Sequence, residues 1–375
     1  QVVSRVRRLL DIQVPLRSLF EHSVLADFVQ ALEAGQGDQP AVISRVSREQ
    51  PLPLSFAQER QWFLWKLDPH SAAYNIPTAL RLRGALDKPA LQRSLEALVQ
   101  RHESLRTTFV EDDGRTVQVI EPNGHIELRE ERLAQGDEAS IRAFAEAETQ
   151  RPFNLLDGER VRCVLLQVGE QDHVLILTLH HIVSDAWSLQ VLIDDLLALY
   201  SAEPLPALPV QYADYAVWQR QWMAAGERER QLAYWTAQLG SEQPLLELPT
   251  DNPRPAQQSF AGARLPVSIE PALAAELKAL ARRENVTLFM LLLASFQALL
   301  HRYSGQADIR VGVPIANRNR LETERLIGFF VNTQVLRAEF DGSMSGAQLL
   351  QQVRQTAMAA QMHQDLPFEQ LVDAL

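Results

Sequence analysis

His180 and His181, with Asp185 four residues further on, are the residues of this chain best suited by type and spacing to do chemistry. Neutral imidazole titrates near physiological pH, so His181 has the chemistry of a base or proton carrier. On extended backbone, successive side chains point to opposite sides. One histidine can therefore face a substrate while the other packs inside. Asp185 either touches the His181 ring or ties the loop down, and spacing alone leaves both open. The plainer alternative is a pair of structural histidines closing a strand. No third zinc ligand lies nearby and Cys163 is the only cysteine, which disfavours a metal or thiolate site.

The flanking pattern says how these residues are held. Val174 to Leu179 is an apolar run with β-branched members, the pattern of a buried strand. Leu189, Leu192, Ile193, Leu196, Leu197 and Tyr200 then recur at helical spacing. The two histidines and the aspartate thus fall on a tight strand-to-helix turn, with Ser184 or Asp185 able to cap the helix. Such a turn holds a side chain rigidly.

Bulk properties narrow the function. A chain of 375 residues is expected to hold two or three domains. Its 46% hydrophobic and 22% charged content is that of a soluble globular protein. A net charge of −11 argues against a nucleic-acid or anionic-membrane partner. The longest apolar stretch, Val286 to Leu300, carries Thr, Ser and Gln, is too short to span a bilayer and is expected to be a buried helix. With a single cysteine no internal disulfide can form, which fits a cytoplasmic protein. The chain opens on Gln1 and not Met, and is expected to be a piece of something longer.

Along the chain, residues 1–36 are expected to form a small helical unit, including a helix over Ser23 to Leu32. Residues 37–51 form a linker rich in Gly, Pro, Ser and charge. Strands are expected at Thr78 to Leu82, Thr116 to Ile120 and Ile126 to Glu130, and a hairpin at Val161 to Val168 and His173 to Leu179. Asp87 and Pro89 open one helix, and Ile141 to Gln150 forms another. His102, at a helix end, is expected to be structural and not a second catalytic histidine. Tyr212 to Leu239 is expected as one helix, its Trp218, Trp222, Tyr234 and Trp235 packing inside. The stiff Leu248 to Pro255 connector separates two lobes. Beyond it come helices capped by Ser268 and Thr287, strands at Ile309 to Pro314 and within Gly328 to Leu336, and a helix at Ala347 to Gln361.

The His-turn stretch resembles the HHxxxDG signature of the condensation domains of nonribosomal peptide synthetases. Five further stretches resemble that family's motifs in the same order. They are Ser55-Phe56-Ala57-Gln58-Glu59-Arg60, Arg101 to Phe109, Tyr212 to Trp218, Ile327-Gly328-Phe329-Phe330-Val331-Asn332-Thr333, and His363 to Glu369. Residues 1–36 resemble the C-terminal helices of a peptidyl carrier domain. The serine that carries that family's phosphopantetheine arm falls upstream of Gln1, and Ser4 does not match it.

The resemblance implies an α/β (α+β) fold: a two-lobed pseudo-dimer of chloramphenicol-acetyltransferase-like halves with mixed sheets and flanking helices. It implies an N-lobe at 52–230 and an incomplete C-lobe at 231–375, since the family's domain continues past Leu375. The implied activity is amide-bond formation, an acyl transfer. The α-amine of an acceptor aminoacyl thioester attacks a donor thioester held on an upstream carrier. No cofactor is bound directly; the phosphopantetheine arms belong to the carriers. The implied partners are the donor and acceptor carrier domains and an adjacent adenylation domain. His181 maps onto the active-site position, where it either takes the amine proton or orients the amine. His180, Asp185 and Arg318 map onto structural positions, Asp185 pairing with Arg318. Ala186, Trp187 and Ser188 map beside the substrate tunnel, and Ala186 replaces the motif's glycine. The opening motif and the segment Ser184 to Ser188 resemble the subtype taking an L-configured donor. Asn317-Arg318-Asn319-Arg320 departs from the motif of the epimerization relatives, and intact histidines depart from the heterocyclization relatives. A catalytically idle carrier-docking module is the alternative from another class.

Overall fold

A computed structural model describes residues 6, 24–34, 42–133, 136–156, 158–256, 262–263 and 265–375. The expected first carrier helix and Ser4 lie outside them. The expected second helix is α1, Leu25–Ala34. The described residues form two compact units. One joins Gln39–Gly226 to Ala316–Val331; the other joins Glu227–Ile315 to Asn332–Leu375 and takes in α1.

The first unit contains β1 (Leu52–Pro53), α2 (Phe56–Leu67), β2 (Asn75–Arg83), α3 (Lys88–Arg101), β3 (Thr107–Asp112) and β4 (Arg115–Ile120). It continues with β5 (Leu128–Arg132), α4 (Glu138–Thr149), β6 (Val161–Gln167), β7 (Asp172–His180), α5 (Ala186–Tyr200) and α6 (Tyr212–Trp222). One sheet runs β1-β4-β3; the other runs β2-β7-β6-β5, with only β5 and β6 parallel.

β7 sits between two strands and is covered on both faces, which is why its sequence is apolar without alternation. Leu175, Leu177 and Leu179 pack with Leu95 and Leu98 of α3 and Leu192 and Leu196 of α5. Val174 and Ile176 pack on the other face with Ile141 of α4 and with Val164 and Leu166. β2, paired on one edge only, alternates between half-buried and exposed. A third cluster holds Trp62, Trp65, Phe109 and Phe153 together with Ile182 and Val183, which directly follow the histidines. The turn that carries the histidines is therefore anchored in a core on its far side.

The second unit contains α7 (Arg228–Leu239), α8 (Pro271–Arg283), α9 (Leu288–Ser304), β8 (Asp308–Ile315), β9 (Asn332–Glu339), α10 (Gly346–Met362) and α11 (Phe368–Val372). β8 and β9 form an antiparallel pair. Thr287 caps α9 through Met290 N–H, and Gly305 ends it in the left-handed region.

Five expectations change. The Leu248 to Pro255 connector, expected between two lobes, lies inside the second unit, which takes up the chain from Glu227. The helix expected over Tyr212 to Leu239 breaks at Met223–Glu227, where Gly226 takes φ 103°, a value glycine reaches without steric cost. Glu270, not Ser268, precedes α8, with no side-chain cap bond; Pro271 at the first position has no N–H to satisfy. β9 starts only at Asn332, because Gly328 and Phe330 spend backbone bonds on Ser188 of α5 and its N-cap Asp185. α9 is not buried all round: Met290, Leu293, Ala294 and Leu300 pack inward, while Phe289, Leu292, Phe296 and Leu299 are exposed.

Candidate active site

The turn begins where β7 ends. His180 N–H donates to Arg160 O (3.0 Å) and His181 N–H to Tyr74 O (2.9 Å), so neighbouring chain segments hold both backbones. The chain then makes one 3₁₀ turn, His181–Val183, and enters α5. Asp185 is the N-cap: its Oδ1 accepts from Ser188 N–H at 2.7 Å.

The two histidines end in different surroundings. His180 is 2% exposed. Its Nδ1 accepts from Ile182 N–H at 3.1 Å, and its ring meets the Phe153 ring edge-on at 6.0 Å. Burial, with a smaller push from His181, lowers its pKa to about 3, so the ring is neutral at physiological pH. His181 is partly exposed. Its Nδ1 lies 2.9 Å from Ser184 O. A carbonyl only accepts, so Nδ1 carries the hydrogen and Nε2 keeps the lone pair. The Phe329 ring lies 4.9 Å from the imidazole, and the Arg60 guanidinium lies 5.6 Å from the Phe329 ring centre. Burial lowers the His181 pKa, opposed by the Ser184 bond and by the Asp185 charge.

Asp185 makes its bonds away from the imidazole. It has no exposed surface. Besides capping α5, it accepts from Arg318 Nη2 at 3.1 and 3.4 Å and from Phe330 N–H at 3.1 Å. Arg318 Nη1 donates to Thr323 O (2.5 Å) and Leu326 O (2.8 Å), and its guanidinium lies 4.1 Å from the Phe330 ring centre. Burial pulls the Arg318 pKa down, and the Asp185 charge opposes it. Of the three residues mapped beside the tunnel, Ser188 is wholly buried. Its Oγ donates to Gly328 O (2.8 Å) and accepts from Gly328 N–H (3.0 Å) and Arg318 Nη2 (2.6 Å). It belongs to the ion-pair network, not to a substrate-facing wall. Trp187 is exposed and donates Nε1–H to Glu324 O at 2.9 Å. Ala186 sits at the first helical position and is not among the positive-φ residues, so its methyl brings no backbone strain.

Two further residues act on the site without a signal in hydrophobic periodicity. Buried Tyr212 donates its hydroxyl to Phe329 O at 2.5 Å and lies 2.7 Å from Ser55 Oγ. Its ring packs so closely on Gly328 that a Cβ there would stand 1.9 Å from Tyr212 Cδ2. The glycine lets the tyrosine pass and fix the backbone that carries Phe329. Their only sequence signal is membership of the motif stretches Tyr212 to Trp218 and Ile327 to Thr333. His102 is elsewhere, buried against Asp195. Cys163 is buried, its thiol pKa pushed up to about 12. Among the described residues, no group of three or more His, Cys, Asp or Glu side chains could hold a metal ion. Nor is any single helix among them long and apolar enough to cross a bilayer.

A family model of the Condensation domain matches residues 48–375. One of the subunits of linear gramicidin synthase from Brevibacillus parabrevis is 48% identical over 391 residues, which is 100% of this chain but 8% of that protein. Malpibaldin synthetase of Mortierella alpina is 45% identical over 97% of this chain and 7% of its own length. The chain thus spans under a tenth of either. The X-domain from teicoplanin biosynthesis, solved in complex with OxyB, superposes with TM-score 0.82 at 28% identity, over 90% of this chain and 76% of that one.

Proposed function

Because the chain belongs to the condensation-domain family of nonribosomal peptide synthetases, we propose that it forms peptide bonds between two carrier-tethered thioesters. The acceptor's α-amine attacks the donor carbonyl. A C–N bond forms, the C–S bond breaks, and the donor carrier's thiol leaves with the proton lost by the amine. The observation that carries this reading is the Nδ1–H···O=C bond from His181 to Ser184, which turns the lone pair onto Nε2.

A free α-amine has a pKa near 7.7–8, so part of it is already unprotonated at neutral pH. His181, lowered below the usual histidine value by burial, is a weak base. It therefore accepts a hydrogen bond from the neutral amine and orients it. It takes the proton only as C–N bond formation makes the nitrogen acidic. Tethering both reactants adds the benefit of proximity. His180, Asp185, Arg318 and Ser188 hold the turn and do not touch substrate. Ala186 and Trp187 are the motif residues left to border it.

The same reading extends to the rest of the chain. Residues 1–36 are the end of a carrier domain, 37–51 a linker, and the two lobes divide near residue 230. The donor is L-configured. The partners are donor and acceptor carriers and an adenylation domain, and the reaction takes place in the cytoplasm. The test is a single-turnover assay with the complete synthetase module and two loaded carriers, read by intact mass. A new amide-linked product is expected. A D-configured donor with no new amide would instead mark an epimerization domain. Carrier binding without either product would mark a docking module.

A further inference from the structure

A second buried carboxylate lies ten residues further along α5, roughly 15 Å down its axis. Asp195 has no exposed surface and sits between Leu192 and Leu196, both in the core with β7. Its Oδ2 accepts from His102 Nε2–H and from Arg101 Nε–H, each at 2.9 Å. Its Oδ1 accepts from Arg325 Nη2–H. Burial works against the Asp195 charge, but the bonds from His102 and Arg101 outweigh it and hold the carboxyl below its usual range. Burial keeps His102 neutral, with Nε2 as the protonated nitrogen. A carboxylate this costly to bury needs all three donors.

Arg325 belongs to the segment Ala316–Val331, which also supplies Arg318 and Phe329. That segment is fastened to α5 at several points. Arg318 and Phe330 bind Asp185, Gly328 binds Ser188, and Glu324 O takes Trp187 Nε1–H. The Asp195–Arg325 bond is the fastening nearest the far end of the helix. Only four positions separate Arg325 from Phe329, the ring that lies 4.9 Å from His181.

We infer that Asp195 is a positioning residue for His181: it anchors Arg325 and so sets the Ala316–Val331 segment at the depth that keeps Phe329 against the imidazole. The second motif gains a role as well, since Arg101 and His102 hold the anchor in place. The role assigned to His181 is the one proposed above, and this inference rests on it. A small displacement of a group that orients a reactant is costly in rate, up to about 10²-fold for 1 Å.

Asp195→Asn would leave three donors facing one amide and endanger the fold, so Arg325 carries the test. Its side chain is 45% exposed, and His102 and Arg101 still bond Asp195 in the variant, so Arg325→Gln should fold, with a lowered melting temperature. In the complete synthetase, Arg325→Gln is expected to lower single-turnover condensation roughly tenfold or more, with KM for the acceptor carrier within about two-fold. Amide hydrogen exchange over residues 320–330 should speed up in parallel. Arg325→Lys should recover part of both. Asp194→Asn, which removes the exposed carboxylate 4.0 Å from Arg325 Nη1, should leave both unchanged. Unchanged exchange in Arg325→Gln would overturn the anchor. Faster exchange with a full rate would overturn its link to His181. If the wild-type protein made no amide, the proposed function would fail, and the exchange measurement alone would still decide whether Asp195 holds the segment.

Discussion

His180 and His181 are the same residue type, one peptide bond apart, yet they end in opposite situations. His180 is sealed against Phe153, takes a backbone N–H, and has its pKa lowered to about 3. His181 spends one nitrogen on Ser184 O and keeps the other as a lone pair on a partly exposed ring. The difference comes from the alternation at the end of β7 and the 3₁₀ turn that follows, not from the side chains. A catalytic group needs one free position and a rigid frame for all the others. In the proposed function His181 is that group, and His180 is part of the frame.

Asp185 belongs to the frame too, and removing it gives the largest expected effect on folding. Asp185→Ala strands Arg318 inside the protein and should cost about 3–5 kcal/mol, out of a typical domain stability of roughly 5–15 kcal/mol. Arg318→Ala should resemble it, and the double mutant should cost less than the sum of the two. Thermal melts decide: a normal melt for Asp185→Ala would move the aspartate out of the frame.

Next comes Gly328→Ala. Its methyl would meet the Tyr212 ring, with a Cβ at 1.9 Å from Cδ2. Overpacking of this kind costs roughly 1–3 kcal/mol, and because Phe329 is the next residue, turnover should fall as well. Denaturant unfolding and the condensation assay check the two together. An unaffected variant would show that Tyr212 can move.

Acid should sharpen the contrast between the histidines. The His180 pKa is about 3 in the folded protein against about 6.5 unfolded. The unfolded state therefore binds the proton first. The stability this group contributes is fully present above about pH 6.5 and is lost as pH falls toward 3. By pH 5 the loss should be about 2 kcal/mol. His180→Gln should flatten the acid side of the stability curve, and an unchanged acid slope would show that His180 is not buried neutral. Smallest of all is Ala186→Gly, which restores the family's residue. Ala186 is already helical with negative φ, so the melt should change by less than about 1 kcal/mol.

The frame is only partly legible in the sequence. A strand apolar on both faces, a tight turn and a helical stripe are local patterns, and they place the histidines correctly. The Asp185–Arg318 pair joins residues 133 positions apart, so only the motif resemblance points to it. Ser188 shares a motif stretch with Ala186 and Trp187, which suggests the tunnel; in the fold its helical phase turns it inward to Gly328. Asp195 sits in a stripe of leucines where periodicity predicts core, and nothing local tells that Arg101, His102 and Arg325 converge there. Gly226 is a helix breaker by type, hidden by the long helical pattern on either side of it.

On the proposed function, His181 alone of the turn's polar side chains does chemistry, while the others hold it. The most direct measurement is single-turnover amide formation by His181→Ala in the complete synthetase with both carriers loaded, paired with a melt of the same protein. The expected result is a rate loss of roughly 10²–10⁴-fold with a melting temperature close to wild type. Condensation within a few-fold of wild type in that folded variant would contradict it.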